Sequence, residues 1–370
     1  MLVLSKVWGD KVEKIKVAII GVGNCASALI QGINYYTKNK TLTNGLLHRK
    51  LGDFDVSDIE CVAAFDIDER KIGKKLSEAI FAKPNNTIVF ESKIKGFNTI
   101  VQMGPILDGF PEHMLNFAPD LRFVPSKAKP VDVVKTLKKT KPDFLICYLP
   151  VGSVNAVQHY ANCALQAGVS FINAMPVFIG SNKEWVEKFE RKKLLAIGDD
   201  IKSQVGATIT HRVLTNVFYE RGAIIDNTYQ MNIAGNTDFM NMLDKKRLKL
   251  KWESKIESVK SQYKHKLDNI YAGPAEYIPY LKDNKIAYIN FHGKGFGNQP
   301  IEIELKISVD DSTNSAGVMI DLIRLSMMAK NKGYVGTVPE ITAFGFKHPI
   351  KQFFDGEAFI NLRRWIKDNS

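Results

Sequence analysis

Residues 194–206 read Leu-Leu-Ala-Ile-Gly-Asp-Asp-Ile-Lys-Ser-Gln-Val-Gly, an apolar run that stops at Gly198 and delivers Asp199, Asp200, Lys202 and Ser203 to the start of a helical pattern. A short apolar run of this kind reads as a central strand, and open α/β sheets bind ligands beyond the carboxyl ends of such strands. Asp or Ser at a helix start most simply caps it. A lysine there is different, because a cation near the positive end of the helix dipole is unfavourable and calls for an anion such as phosphate, carboxylate or a reacting oxyanion. Lys202 is therefore expected to carry chemistry. Lys285, just ahead of the strand-like Ile286-Ala-Tyr-Ile-Asn, and Lys347, inside the aromatic Ala343-Phe-Gly-Phe-Lys-His-Pro, stand in comparable places. Asn236, Asp238 and Asp310 follow or end later strand-like runs and are placed to contact a polyol, although singly each is a loop residue.

A second constellation precedes these. Gly21-Val-Gly23-Asn24-Cys25-Ala26 is a Gly-x-Gly-x-x-Ala fingerprint between a strand and a helix. Gly21 permits the tight turn, Gly23 lets a pyrophosphate approach the backbone, Ala26 allows close helix packing, and the helix start offers free N–H groups to the anion. Asp66 ends the next strand, further past Gly23 than the roughly 20 residues usual for the ribose-binding acid. A polar insertion at 37–58 accounts for the excess. A carboxylate there accepts from ribose hydroxyls and repels a 2′-phosphate, favouring NAD over NADP. Tyr148-Leu149-Pro150-Val-Gly-Ser153 and Asn173-Ala174-Met-Pro176-Val each leave a strand for a helix, and their shared position places them along the same crevice.

These motifs need elements to position them. Strands are expected at Lys14–Ile20, Glu60–Phe65, Asp143–Tyr148, Val169–Ala174 and Leu194–Ile197, and helices from the fingerprint to Tyr36, at Pro130–Lys139, at Ser153–Ala167 and near 182–192. This alternation gives a Rossmann-type, doubly wound parallel sheet. After residue 202 the pattern changes. Val205, Ile209, Val213 and Val217 recur at four-residue spacing, predicting an amphipathic helix. Tyr229-Gln-Met-Asn-Ile-Ala alternates, putting Gln230 and Asn232 on one strand face and Met231 and Ile233 on the other. Further strands at 286–291 and 301–309 imply an antiparallel sheet. The expected organisation is α/β: residues 1–202, completed by 311–370 with a helix at Asn314–Lys330, form the NAD-binding unit, and an α+β unit is inserted at 203–310.

The 370 residues exceed one ordinary core, and 45% hydrophobic with 24% charged residues fits a globular protein. No apolar stretch approaches the roughly 18 residues of a membrane span. The N-terminus, with Lys6, Asp10, Lys11 and Glu13, lacks the apolar core of a signal peptide, so a cytoplasmic location is expected. Cys25, Cys61, Cys147 and Cys163 form no Cys-x-x-Cys pair and read as buried thiols. The net charge of +12 is spread over scattered lysines without an arginine-rich arm, which favours an anionic small molecule over nucleic acid.

Together, Gly-Val-Gly-Asn-Cys-Ala-Ser27, Ala-Ala-Phe-Asp-Ile-Asp68, Tyr-Leu-Pro-Val-Gly-Ser153, Asn-Ala-Met-Pro-Val177, Gly-Asp-Asp-Ile-Lys-Ser-Gln-Val-Gly-Ala-Thr208 and Asp-Ser-Thr-Asn-Ser-Ala-Gly317 resemble the myo-inositol-1-phosphate synthases, most closely their compact bacterial and archaeal branch. The resemblance runs in order along nearly the whole chain. It implies isomerisation of D-glucose 6-phosphate to 1D-myo-inositol 3-phosphate for inositol and phospholipid synthesis, with NAD regenerated: oxidation at C5, proton loss at C6, attack on the C1 aldehyde, and reduction. Each step develops negative charge on oxygen, which positioned ammonium groups stabilise. Carried over, the resemblance makes Lys202 the proton-transfer lysine, Lys285 and Lys347 the stabilisers of the enolate and aldehyde oxygens, and Asp310, next to Asp311, the carboxylate orienting a lysine. It places Asn232, Asn236 and Asp238 on the sugar hydroxyls and Asp199 near the nicotinamide. Gly206 stands where eukaryotic members have a phosphate-holding lysine, leaving Ser203, Thr208 and the helix start to cradle phosphate. The branch is also associated with a divalent metal, for which Asp199, Asp200 and Asp310 are the available carboxylates, and with a homotetramer built through the second sheet.

Two other functions compete. A dehydrogenase with net turnover would show a reactive cysteine or a catalytic histidine at a strand exit; the cysteines are not so placed, and His211 falls within a helical pattern. A dinucleotide sensor or a basic nucleic-acid-binding protein leaves the lysine set without a task.

Overall fold

The computed structural model describes residues 14–370; the N-terminal residues examined above for a leader lie outside them. Six strands form one parallel sheet: β1 (Ile15–Ile20), β2 (Ile59–Asp66), β3 (Val101–Met103), β4 (Phe144–Cys147), β5 (Ser170–Asn173) and β6 (Ala196–Gly198), in the order β3-β2-β1-β4-β5-β6. The central strands are apolar throughout because both faces are covered: every residue of β4 and β5 is buried. Helices α1 (Asn24–Lys38), α2 (Val133–Thr140), α3 (Val154–Ala167) and α4 (Lys183–Arg191) connect them. The chain reverses its winding between β1 and β4, and there a crevice opens beyond the carboxyl ends. β3, only three residues long, gave no periodic signal in the sequence.

Helix α5 (Ala207–Glu220) leads into a second, four-stranded sheet of β7 (Ile224–Ala234), β8 (Ile270–Tyr277), β9 (Asn284–Lys294) and β10 (Pro300–Asp310), ordered β8-β7-β9-β10. Here the structure departs from the expected all-antiparallel sheet. β9 runs antiparallel to β7 and β10, but β8 is parallel to β7, reached through the unexpected helix α6 (Lys249–Lys260). Gly273 and Pro274 disguise β8 in the sequence; both are tolerated because it is an edge strand with a register shift there. The alternation in β7 is as expected, with Gln230 and Asn232 buried under the helices and Met231 exposed.

α5 has the expected period but the opposite face turns inward. Val205 (65% exposed), Val213 and Val217 point outward, whereas Thr208, His211, Arg212, Thr215 and Phe218 are buried. The polar face is inside because its large polar groups are bonded: His211 meets Thr228 at 2.8 Å and Gln230 at 3.3 Å, and Arg212 grips Asp355. Apolar spacing alone cannot see such pairing.

The chain then returns to the first sheet. α7 (Thr313–Asn331) packs along α1, followed by α8 (Pro339–Gly345) and α9 (Asp355–Asn369), neither of which was anticipated. Leu322, Ile323 and Leu325 share one core with β1 and α1, so the C-terminal helices belong to the first sheet's stability. Leu322→Ala is expected to cost about 2–5 kcal/mol, read as a lower urea midpoint for the whole first sheet; a change under about 0.5 kcal/mol, typical of a surface site, would contradict this packing.

Candidate active site

At the nucleotide end the fingerprint has the geometry its glycines predict. Gly21 has φ +85°, its N–H donates to Phe65 O at 2.8 Å, and a Cβ would lie 2.6 Å from Tyr148 O. Gly23 faces open space, with nothing within 4 Å of a Cβ, and no side chain caps α1 there. That leaves a backbone cradle fit for a pyrophosphate. Asp66 accepts from Val22 N through Oδ2 at 2.7 Å and from Ile67 N and Asp68 N through Oδ1; it borders the crevice along with Gly21, Gly23, Asn24, Cys25, Leu149, Pro150 and Ala174. Three expected residues do not line it. Ala26 is spent on helix packing, Pro176 is buried in its turn, and Ser153 Oγ accepts from Arg247 at 3.1 Å.

The same cavity continues beneath the second sheet, enclosing about 1590 Å³ of empty space with its open mouth included. Its far wall is cationic. Asp200 leaves β6 with φ +59° and gathers Lys251 Nζ at 3.0 Å, Lys347 Nζ at 2.9 Å and Ser254 Oγ at 2.7 Å. Lys347 Nζ also donates to Ile201 O at 2.7 Å, and Lys285 pairs with Asp311. Lys255, one turn beyond Lys251 on α6, is buried and makes no hydrogen bond or ion pair among the described residues. Ser203, Gly206, Thr208, Asn232, Asn236 and Asp238 complete the wall.

Charge sets the proton affinities. Burial would raise Asp200, but Lys251 and Lys347 outweigh it and hold the carboxyl well below its usual range. Burial would lower Lys251, and there Asp200 and Asp238 prevail, raising it. Lys347 falls to about 8, because burial and the neighbouring Lys251 and Lys285 exceed what Asp200 returns. Unpaired Lys255 is pulled far down by burial and by Lys251, Lys347 and Lys285.

Three sequence assignments are corrected by placement. Lys202 does not reach this cavity. Its Nζ turns the other way, 2% exposed, donating to Ala343 O at 2.7 Å and Asp355 Oδ1 at 3.2 Å, because its backbone N–H is tied to Gly345 O. Among the described residues Asp310 meets no lysine: it accepts from Thr313 N and Oγ1 and from Thr87 Oγ1, capping the start of α7, and the carboxylate paired with Lys285 is its neighbour Asp311. Asp199 does not line the cavity. It accepts from Asn173 Nδ2, Ile179 N, Gly180 N, Ser181 N and Ser181 Oγ, and burial pushes its pKa up to about 6. With Asp199 and Asp310 committed and Asp200 occupied by lysines, these carboxylates do not fit a divalent ion, and no group of three or more His, Cys, Asp or Glu among the described residues is arranged to hold one.

A sequence model of the myo-inositol-1-phosphate synthase family matches residues 206–312, which include α5, α6 and the second sheet. The chain is 46% identical to the inositol-3-phosphate synthase of Mycolicibacterium smegmatis over 96% of its own length and 98% of that protein's. The chain belongs to the myo-inositol-1-phosphate synthase family. The inositol-3-phosphate synthase of Mycobacterium tuberculosis is also 46% identical, over 95% of this chain and 96% of that one. A crystal structure of a myo-inositol-1-phosphate synthase-related protein from Thermotoga maritima shares the fold, with a TM-score of 0.78, 24% identity and coverage of 96% of this chain and 99% of that one.

Within this family frame, Lys251 and Lys255 are the residues that sequence reasoning missed. Their signal was an i, i+4 lysine pair on α6, masked by the surrounding Lys245, Lys246, Arg247, Lys249 and Lys260, which read as a solvated surface. Asp283 was missed as well. It is buried beside the cavity, accepts from Asn236 Nδ2 at 2.8 Å, and through its backbone carbonyl holds Asp311 N. Burial, with Asp310 and Asp311 nearby, pushes its pKa up to about 7. The folded chain thus keeps a proton that the unfolded chain releases from about pH 4, so this group's stabilisation is full at low pH and lost as pH rises through about 7. Asp283→Asn, which keeps an acceptor for Asn236, should therefore gain on wild type in urea midpoint as pH rises across that window; a constant difference would contradict the shift.

Proposed function

We propose that this chain is an inositol-3-phosphate synthase that isomerises D-glucose 6-phosphate to 1D-myo-inositol 3-phosphate, with NAD consumed and regenerated in each cycle. The observation that carries the reading is one cavity joining a dinucleotide cradle to four lysines, Lys251, Lys255, Lys285 and Lys347. Bound nicotinamide dinucleotide would supply hydride acceptance and return, and the fingerprint with Asp66 would hold its pyrophosphate and ribose. Everything else falls to side chains. The phosphate of the substrate seats at the start of α5, on Ser203, Thr208 and free backbone N–H groups, with Lys255 supplying the charge that Gly206 lacks. Asn232, Asn236 and Asp238 hold hydroxyls. Lys251, Lys285 and Lys347 face the oxygens that become negative, in a water-poor site where such charges act strongly. Lys347, brought to about 8, is near enough to neutrality to pass a proton as well.

In this reading residues 1–202 with 311–370 serve the dinucleotide, and 203–310 supplies most of the lysine wall and an assembly face. The uncovered side of the second sheet, exposing Tyr229, Met231, Tyr271 and Tyr288, suits a homotetramer. No described helix is long and apolar enough to cross a membrane, and the enzyme is proposed to work in the cytoplasm.

Incubation with glucose 6-phosphate and NAD should yield inositol phosphate by NMR without accumulating NADH absorbance; stoichiometric NADH would make it a dehydrogenase instead. Lys255→Met is expected to raise KM for glucose 6-phosphate roughly 10- to 100-fold, the worth of a charged hydrogen bond. Lys251→Met should instead lower kcat by about 100- to 1,000-fold while NAD still binds. Equal, small effects of both would remove α6 from the mechanism.

A further inference from the structure

Lys202, which the cavity does not use, belongs to a buried cluster behind it. Asp355, at the start of α9, receives Lys202 Nζ at 3.2 Å on Oδ1 and the fork of Arg212, Nη2 at 2.9 Å on Oδ1 and Nε at 2.8 Å on Oδ2. Arg212 is wholly buried. Its Nη1 continues to Ser258 Oγ and Ser261 Oγ, both at 3.0 Å, and its Nη2 to Phe353 O at 3.1 Å. Gln262 closes the ring, accepting from Asp355 N at 3.0 Å and donating to Phe353 O at 2.9 Å. The carboxylate thus joins the β6 exit, through Lys202, to α5, through Arg212, and it reaches the far end of α6 through Arg212, whose Nη1 bonds Ser258 and, just past the helix, Ser261. Ser258 lies one turn from Lys255 on that helix. The other ties on α6 given above, Lys251 and Ser254 to Asp200, lie nearer its start.

We propose that Asp355, held between Lys202 and Arg212, is a positioning residue: it clamps the C-terminal end of α6 so that Lys255 and Lys251 project into the cavity. The proposal rests on the functional reading above, in which those two lysines act on the substrate. Its physical basis is that two buried cations, Lys202 and Arg212, share one half-buried carboxylate, and removing it leaves both cations desolvated and without a countercharge. A forked Arg contact also fixes direction as well as distance. Small displacements of α6 move two ammonium groups at once, and misplacement on the order of 1 Å costs about 100-fold in rate at a reacting centre.

The test uses the full chain. In Asp355→Asn and in Lys202→Met, amide exchange over residues 249–260 should rise about tenfold while 15–20 and 144–147 are unchanged. kcat with glucose 6-phosphate should fall about tenfold or more with KM for NAD unaltered. Lys202→Arg, which keeps a cation for Asp355, should restore both. Unchanged exchange over 249–260 in Asp355→Asn overturns the proposal. So does a Lys202→Met chain that loses turnover with the helix still protected, an outcome that returns Lys202 to catalysis. Should the wild-type chain form no inositol phosphate, the exchange result still decides the clamp, so failure of the activity and failure of the clamp are read apart.

Discussion

The Asp200 carboxylate is the interaction on which the cavity depends. It is almost fully buried at the exit of β6, its N–H is fixed to Met175 O, and its carbonyl takes the N–H of Lys347, so the backbone sets where the anion points. Two ammonium groups from distant segments meet on one of its oxygens and a serine hydroxyl on the other. Without that anion, Lys251 and Lys347 would be buried like charges with no directly paired carboxylate, a cost of several kcal/mol per ion against a total stability of about 5–15 kcal/mol. With it the account is still unbalanced: four lysines face the cavity, and the directly paired carboxylates are Asp200 and Asp311. An anionic ligand would offset the lysine neighbours and the burial that pull unpaired Lys255 down, and is favoured on that account.

Asp199 and Asp200 are adjacent and chemically identical, yet their surroundings drive them apart. Asp199 faces backbone N–H groups and a hydroxyl of residues 173–181, neutral donors that only partly offset burial, and it ends with a raised pKa. Its five hydrogen bonds fix the turn after β5 against the exit of β6, and so hold Ala174 and Met175 in the crevice wall. Asp200 faces cations and stays ionised. One residue thus shapes the dinucleotide half of the cavity and the next organises the lysine half, which is how a single strand exit serves both ends of one site.

The parts of this structure that could be read from the chain are those whose signal is local. Buried parallel strands are continuous apolar runs, and Gly21 must be glycine because no side chain fits beside Tyr148 O. The segments that escaped reading are fixed by tertiary partners. α5 shows a helical period, but which face is buried depends on Arg212 finding Asp355, 143 residues away. α6 carries two cavity lysines in a run that looks like solvated surface. The dipole argument at residue 202 pointed to a helix start that does line the cavity, but Lys202 itself turns away from it, because proximity in sequence to a helix start does not say which way a side chain leaves the backbone. The same limit explains Asp310 and Asp311: adjacent residues, of which only the folded contacts tell the partner of Lys285 from the helix cap.

Gly206 brings these points together. A side chain there would press its Cβ to 2.9 Å from Ser203 Cβ, so a lysine at that position would displace the hydroxyl at the helix start. On the proposed reading the chain keeps the tight turn and draws the cation from elsewhere: Lys255 of α6 lines the same cavity as the start of α5. The arrangement has a mechanical consequence. A cation built into the loop would hold its place whatever α6 did, whereas one carried by α6 is present only while that helix is docked. A phosphate bound between α5 and Lys255 would then add a tie across the cavity to those through Asp200 at one end of α6 and Asp355 at the other. Substrate charge and the order of the lysine wall are thereby coupled, since any ligand that binds the docked helix better than the loosened one favours docking by that difference.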